Sequence, residues 1–136
     1  MSTEGPSTPL GTILVVEDEV IIRMVISEYL RDCGYKVVEA ANADEALIVL
    51  QNSDITVEVI FSDIEMPGSM DGFALAQWAR ANRPDLDVIL VGSVPRAASA
   101  ATDLCEQGHL SKPYESQVVV DRIRRLIAAR TARKKS

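Results

Sequence analysis

Short, wholly apolar runs alternate along this chain with longer stretches whose apolar residues recur every three or four positions. The first pattern suits strands buried on both faces, and the second suits helices packed along one side. Thr12–Val16 (TILVV) is apolar and β-branched, which predicts a first strand. Residues 19–33 carry a helical stripe at Ile22, Val25, Ile26, Tyr29 and Leu30, and Gly34 follows as a helix stop. Residues 35–39 read as a second strand. Asn42 and Glu45 have the spacing of a capping box, which opens a helix to about residue 52 that buries Ala46, Leu47 and Leu50. A third strand is expected at 56–62 and a third helix at 71–82, with Pro84 marking its exit. A fourth strand at 88–91, an Ala-rich fourth helix at 95–107 and a short fifth strand at 109–111 come next. The last helix, from 115 to about 133, places Val119, Ile123, Leu126 and Ile127 on one face. Five successive β-α units without an internal repeat predict a doubly wound α/β sandwich around a five-stranded parallel sheet.

The chain has 136 residues, a length that suits one core and leaves no room for a second full domain. Residues 1–10 read as a flexible tail, 11–131 as the domain and 132–136 as a basic C-terminal tail. No apolar run reaches the roughly 20 residues that span a bilayer, and the first ten residues lack the apolar centre of a signal peptide. Cys33 and Cys105 form no CxxC pair, so a reduced, cytoplasmic protein is expected, with no membrane partner. The net charge of −6 argues against nucleic acid as a partner. It is unevenly spread: residues 1–121 carry 20 acids and 7 bases, while residues 122–136 carry 7 bases and no acid. The basic end fits the exposed face and C-terminus of one helix, where cations are favoured.

In an open parallel sheet, chemistry sits at the carboxyl ends of the strands. The first strand ends in Glu17-Asp18-Glu19, the third in Asp63 and the fifth near Lys112. With the first strand beside the third, Glu17, Asp18 and Asp63 meet in one pocket next to a lysine. Carboxylates so gathered push one another toward protonation unless a cation intervenes. A hard divalent ion with oxygen ligands, magnesium first, is the natural partner.

The pieces ILVVEDE at 13–19, FSDIEMPG at 61–68, DG at 71–72 and SKPY at 111–114 resemble, in order and spacing, the response-regulator receiver domain of two-component signalling. The resemblance spans about residues 11–130 and implies a flavodoxin-like sheet of order 2-1-3-4-5. It implies a phosphoacceptor role for Asp63, and Mg2+ held by Asp18, Asp63, the backbone carbonyl of Glu65 and, directly or through water, Glu17. Lys112 would bind the phosphoryl group, and the Lys112–Pro113 bond would be cis. The implied partners are a sensor histidine kinase or a histidine phosphotransfer protein, and a downstream protein. Homodimerisation through the fourth helix, fifth strand and fifth helix is a further implication. The only enzyme-like activities implied are autocatalytic phosphoryl acceptance and slow self-dephosphorylation.

Two positions depart from the family pattern. Where a Thr or Ser usually closes the fourth strand, this chain has Gly92, and Ser93 next door is the expected replacement for the missing hydroxyl. Where an aromatic switch residue often stands three before the lysine, this chain has His109, which titrates near neutral pH. Glu65 and Val94 stand where the family lines the path of attacking water. The leading expectation is a stand-alone, phosphorylation-controlled switch. The alternatives are a phosphorylation-independent pseudo-receiver adaptor, favoured by Gly92, and a phosphatase resembling the haloacid dehalogenases. The latter typically needs a second Asp two residues after the nucleophile, where this chain has Glu65.

Overall fold

The computed structural model describes residues 10–66, 68–92 and 110–135. The elements are β1 (Thr12–Val16), α1 (Val20–Asp32), β2 (Lys36–Ala40), α2 (Ala43–Leu50), β3 (Val59–Asp63), α3 (Gly72–Asn82), β4 (Asp87–Gly92), β5 (Leu110–Ser111) and α4 (Ser116–Lys135). The strands form one parallel sheet in the order β2-β1-β3-β4-β5. The predicted fourth helix at 95–107, with Ser93, Val94, Cys105 and His109, lies outside the described residues.

The sheet sorts its side chains by alternation, as a pleated strand must. Leu14, Val16, Ile60, Val88 and Leu90 face α2 and α3, where they pack with Ala46, Leu50, Leu75 and Ala79. Ile13, Val15, Val59, Phe61, Ile89 and Val91 face α1 and α4, where they meet Ile26, Leu30, Val119 and Ile123. Each such fully buried aliphatic or aromatic side chain stabilises the fold by about 1.5–3 kcal/mol. Trp78 lies half-buried at the edge of the first cluster.

The helix starts follow from their capping residues. Asn42 accepts the Glu45 amide at 2.9 Å, and the Glu45 carboxylate accepts the Ala41 amide at 2.7 Å. The box therefore closes one residue earlier than its standard form. Asp71 caps α3 by accepting the Ala74 amide at 2.9 Å. Glu19 precedes α1 without a side-chain capping bond.

Several expectations change. β3 begins at Val59 rather than 56; Glu58 just before it bonds through its main chain to Thr12 and Asp87, and its carboxylate accepts the Thr12 amide at 2.7 Å. The α1 stripe is rotated: Ser27 is buried and Val25 faces solvent with Val20, Ile21 and Met24. Periodicity alone gave the stripe's width and missed which edge the sheet covers. α4 continues through 132–135, so these residues of the segment read as a basic tail are helix.

Candidate functional site

Val16 of β1 pairs with Ser62 of β3, so Glu17 and Asp63 stand side by side at the carboxyl end of the sheet. The Glu17 amide continues the bonding beyond β1 by donating to the Ala40 carbonyl at 3.1 Å. The Ile64 amide does the same for β3, donating to the Val91 carbonyl at 2.8 Å. Ser111 of β5 pairs with Gly92, and the Lys112 amide donates to the Gly92 carbonyl at 3.3 Å. Three strand ends thus deliver two acids and a lysine to one place. The Lys112–Pro113 peptide is cis.

Carboxylate oxygens of Glu17, Asp18 and Asp63 all lie within 4.8 Å of one another. Glu17 and Asp63 are buried, at 2% and 4% exposure, and Asp18 is the more open of the three. Lys112 Nζ lies 3.0 Å from Asp63 Oδ2 and 3.5 Å from Glu17 Oε2. The Glu19 amide donates to Glu17 Oε1 at 3.2 Å, and the Glu65 amide donates to Asp63 Oδ1 at 3.3 Å. The side chain of Glu65 is exposed.

The cluster holds more negative charge than Lys112 can balance. Burial, then the nearby charge of Asp63, pushes the Glu17 carboxyl up to about 7, against the pull of the Glu19 amide and Lys112. Burial alone would lower the Lys112 ammonium, but the hydrogen bond and charge of Asp63, helped by Glu17, raise it above its ordinary value. Tyr114 packs edge-on against Phe61 with ring centroids 5.5 Å apart, and burial followed by the charges of Glu17 and Asp63 raises its hydroxyl to about 12. An all-oxygen donor set of three carboxylates, two of them buried, fits a hard divalent cation.

The close approach of α3 fixes the end of β3. A Cβ on Gly72 would overlap the Asp63 carbonyl oxygen and lie 2.7 Å from Ile64 Cα. Gly92 closes β4, and a Cβ there would meet Ile64 Cδ1 at 2.8 Å. Of the residues singled out in the sequence, Glu17, Asp18, Asp63 and Lys112 come together, and Gly92 stands at the neighbouring strand end. Ser93 and His109 lie outside the described residues.

One site neighbour escaped sequence reasoning. Arg23 donates through Nη1 to the Glu17 carbonyl at 2.7 Å. It carried no sequence signal for this contact, because its partners lie on separate elements. Tyr114, the last residue of SKPY, joins the pocket wall. Beside the site, a cavity of about 430 Å³ separates α1 from residues 112–116, lined by Ile21, Ile22, Val25, Ile26, Pro113 and Tyr114.

A family model described as response regulator receiver domain matches residues 13–124. The DNA-binding transcriptional regulator NtrC of Salmonella typhimurium is 33% identical over 121 residues, which cover 87% of this chain and 25% of that protein. Sensor kinase CckA of Brucella abortus is 32% identical over 119 residues, 86% of this chain and 12% of that one. The chain therefore spans a quarter or less of the length of these two relatives. Among solved structures, response regulator protein TrrA of Thermotoga maritima, in complex with Mg2+ and BeF, is 27% identical with a TM-score of 0.75. That match covers 85% of this chain and 98% of that one. A CheY-like receiver domain protein from Methanospirillum hungatei shares the fold with a TM-score of 0.82 at 23% identity, covering 90% and 98%. Among the described residues, no helix is long and apolar enough to cross a membrane.

Proposed function

Because the chain belongs to the response regulator receiver domain family, we propose that Asp63 takes a phosphoryl group from a histidine donor and that this modification controls partner binding. The observation that carries the reading is the 3.0 Å contact of Lys112 Nζ with Asp63 Oδ2 inside the acidic cluster. Receiver domains bind Mg2+ at an acidic pocket, and here Asp18, Asp63 and the Glu65 carbonyl would hold it, with Glu17 direct or through water. When bound, the ion neutralises charge developing on the phosphoryl oxygens.

The chain's own residues do the rest. An Asp63 oxygen attacks phosphorus in line as the P–N bond to the donor imidazole breaks. The imidazole nitrogen keeps the bonding pair and later gains a proton. Lys112, already charged, turns from the Asp63 carboxylate to an oxygen of the transferred group. Water later cleaves the acyl phosphate and restores Asp63. The exposed apolar face of α1 and the cavity beside Lys112 suit an apolar helix face of the donor, a histidine kinase or phosphotransfer protein, because such a donor covers the opening to Asp63. β5, α4 and the helix expected at 95–107 are the elements we assign to dimerisation or to a downstream protein. Residues 11–131 form the working unit, which acts in the cytoplasm, where the free thiol of Cys33 stays reduced.

Incubation with acetyl phosphate and Mg2+, followed by intact mass measurement, tests the reading. The expected result is a gain of one phosphoryl group that Asp63→Asn abolishes. No gain in a wild-type protein that binds Mg2+ would favour the phosphorylation-independent adaptor. Sustained turnover of a generic phosphate ester would favour a phosphatase.

A further inference from the structure

The loop from Glu17 to Glu19 carries two of the three clustered acids, yet α1 begins behind it without a side-chain cap. Its fixed points lie elsewhere. The Glu17 amide is held by the Ala40 carbonyl of β2, and the Glu17 carbonyl is held by Arg23, one turn into α1. Arg23 does not work alone. Its Nε donates to Glu39 Oε1 at 3.3 Å, while Arg31 donates to Glu39 Oε2 at 3.1 Å and to the Val37 carbonyl at 3.1 Å. Glu39 therefore sits between two guanidinium groups, and the Arg23 fork joins β2 to the main chain of the acidic loop. The Arg23 side chain is 18% exposed and that of Glu39 31%, so the bridge lies at the edge of the fold, partly open to water.

From this network we propose that Arg23 is a positioning residue for the metal site: by clamping the Glu17 carbonyl against Glu39, it sets the direction in which the Asp18 carboxylate leaves the loop. The inference rests on the reading of Glu17, Asp18 and Asp63 as a Mg2+ site. A planar fork can hold a carbonyl and a carboxylate together, which a lysine ammonium does with less definition. Groups that orient metal ligands from behind typically contribute 10–100-fold in affinity.

The test is calorimetric titration of Mg2+ into the full chain without any phosphodonor, paired with urea unfolding in EDTA. Arg23→Met is expected to weaken Mg2+ binding about tenfold. Arg31→Met removes the other guanidinium on Glu39 but leaves the loop clamped, and is expected to stay within about twofold of wild type, well below the usual effect of losing a group that orients a metal ligand. Arg23→Lys is expected to fall between wild type and Arg23→Met. Wild-type affinity in Arg23→Met, or an equal loss in Arg31→Met, overturns the proposal. Should Arg23→Met fail to fold in EDTA, Arg23→Lys decides, and full wild-type affinity there overturns it. Asp18→Asn separates the layers: if it binds Mg2+ as wild type does, the metal-site reading fails and takes the proposal with it. If Asp18→Asn loses binding while Arg23→Met keeps it, only the role of Arg23 is lost.

Discussion

The ends of β3 and β4 lie side by side and are built in opposite ways. β3 ends in a buried carboxylate, fixed by main chain on one side and by the Lys112 ammonium on the other. The Ile64 amide bonds to β4, the Glu65 amide bonds to Asp63 Oδ1, and the first turn of α3 presses on residues 63 and 64 through Gly72. β4 ends in Gly92, which offers only main chain, and the space beside its Cα is filled by the Ile64 side chain. One end is a rigid mount for a carboxylate. The other is bare at the position where the family usually places a hydroxyl. The difference teaches that neighbouring ends of one sheet can be fixed by unlike means, one by main-chain bonds and close helix packing, the other by a side chain that fills the space beside a glycine.

Lys112→Met attacks the rigid mount at its charge and carries the largest expected effect. It removes the ammonium that contacts both Asp63 and Glu17. Loss of one positioned group that stabilises developing charge typically costs 10²–10³ in rate. Phosphorylation by acetyl phosphate, followed by intact mass, should therefore slow about 100-fold. A rate within a few-fold of wild type would remove Lys112 from the chemistry.

Gly72→Ala attacks the same mount through packing. The added methyl group meets main-chain atoms of Asp63 and Ile64, which can yield only if α3 moves off the strand. Overpacking against a fixed neighbour costs typically 1–3 kcal/mol, so a loss of about 2 kcal/mol in urea unfolding is expected. An unchanged midpoint would show that α3 is free to retreat.

How much of this was legible in the sequence follows the same division. The inner strands β1, β3 and β4 were readable because they are buried on both faces and need apolar, β-branched runs, as in TILVV. Asp63, Glu17 and Lys112 were readable because parallel topology forces strand ends together whatever the side-chain details. The outward turn of Val25 was not, since periodicity gives a stripe but not its angle to the sheet. Nor was the contact of Arg23 with Glu17 and Glu39, which depends on two elements meeting in space. The packing of Ile64 over Gly92 was hidden for the same reason, although the missing hydroxyl itself was plain.

The charge imbalance at the end of β3 predicts a pH dependence. Glu17 ordinarily titrates at 4.5 and is raised to about 7 by burial and by Asp63. Between those values the folded chain keeps a proton that the unfolded chain has released. In EDTA, the contribution of the Glu17 proton to stability is therefore fully present below about pH 4.5 and lost as pH rises through 7. With screening at the pocket mouth, the loss is on the order of 1–2 kcal/mol. Urea midpoints from pH 5 to 8 should show the fall, and Glu17→Gln should flatten it. The raised Lys112 acts only above its ordinary 10.5 and stays out of this window. An equal fall in Glu17→Gln would assign the effect to another group.

Gly92→Ser probes the other strand end and carries the smallest expected cost. Its Cβ would meet Ile64 Cδ1 at 2.8 Å, the far end of a side chain that can change rotamer, where Gly72→Ala meets backbone. The expected loss in urea unfolding is about 1 kcal/mol, at the low end for overpacking. Ile64→Val removes the offending δ-methyl, so Gly92→Ser should cost less in an Ile64→Val background than alone, a coupling that a double-mutant cycle reads directly. A cost for Gly92→Ser as large as for Gly72→Ala, with no relief from Ile64→Val, would mean that β4 ends as rigidly as β3. With relief, the bare end of β4 is kept bare by packing as well as by the residue that occupies it, and a hydroxyl can return there only when Ile64 gives way.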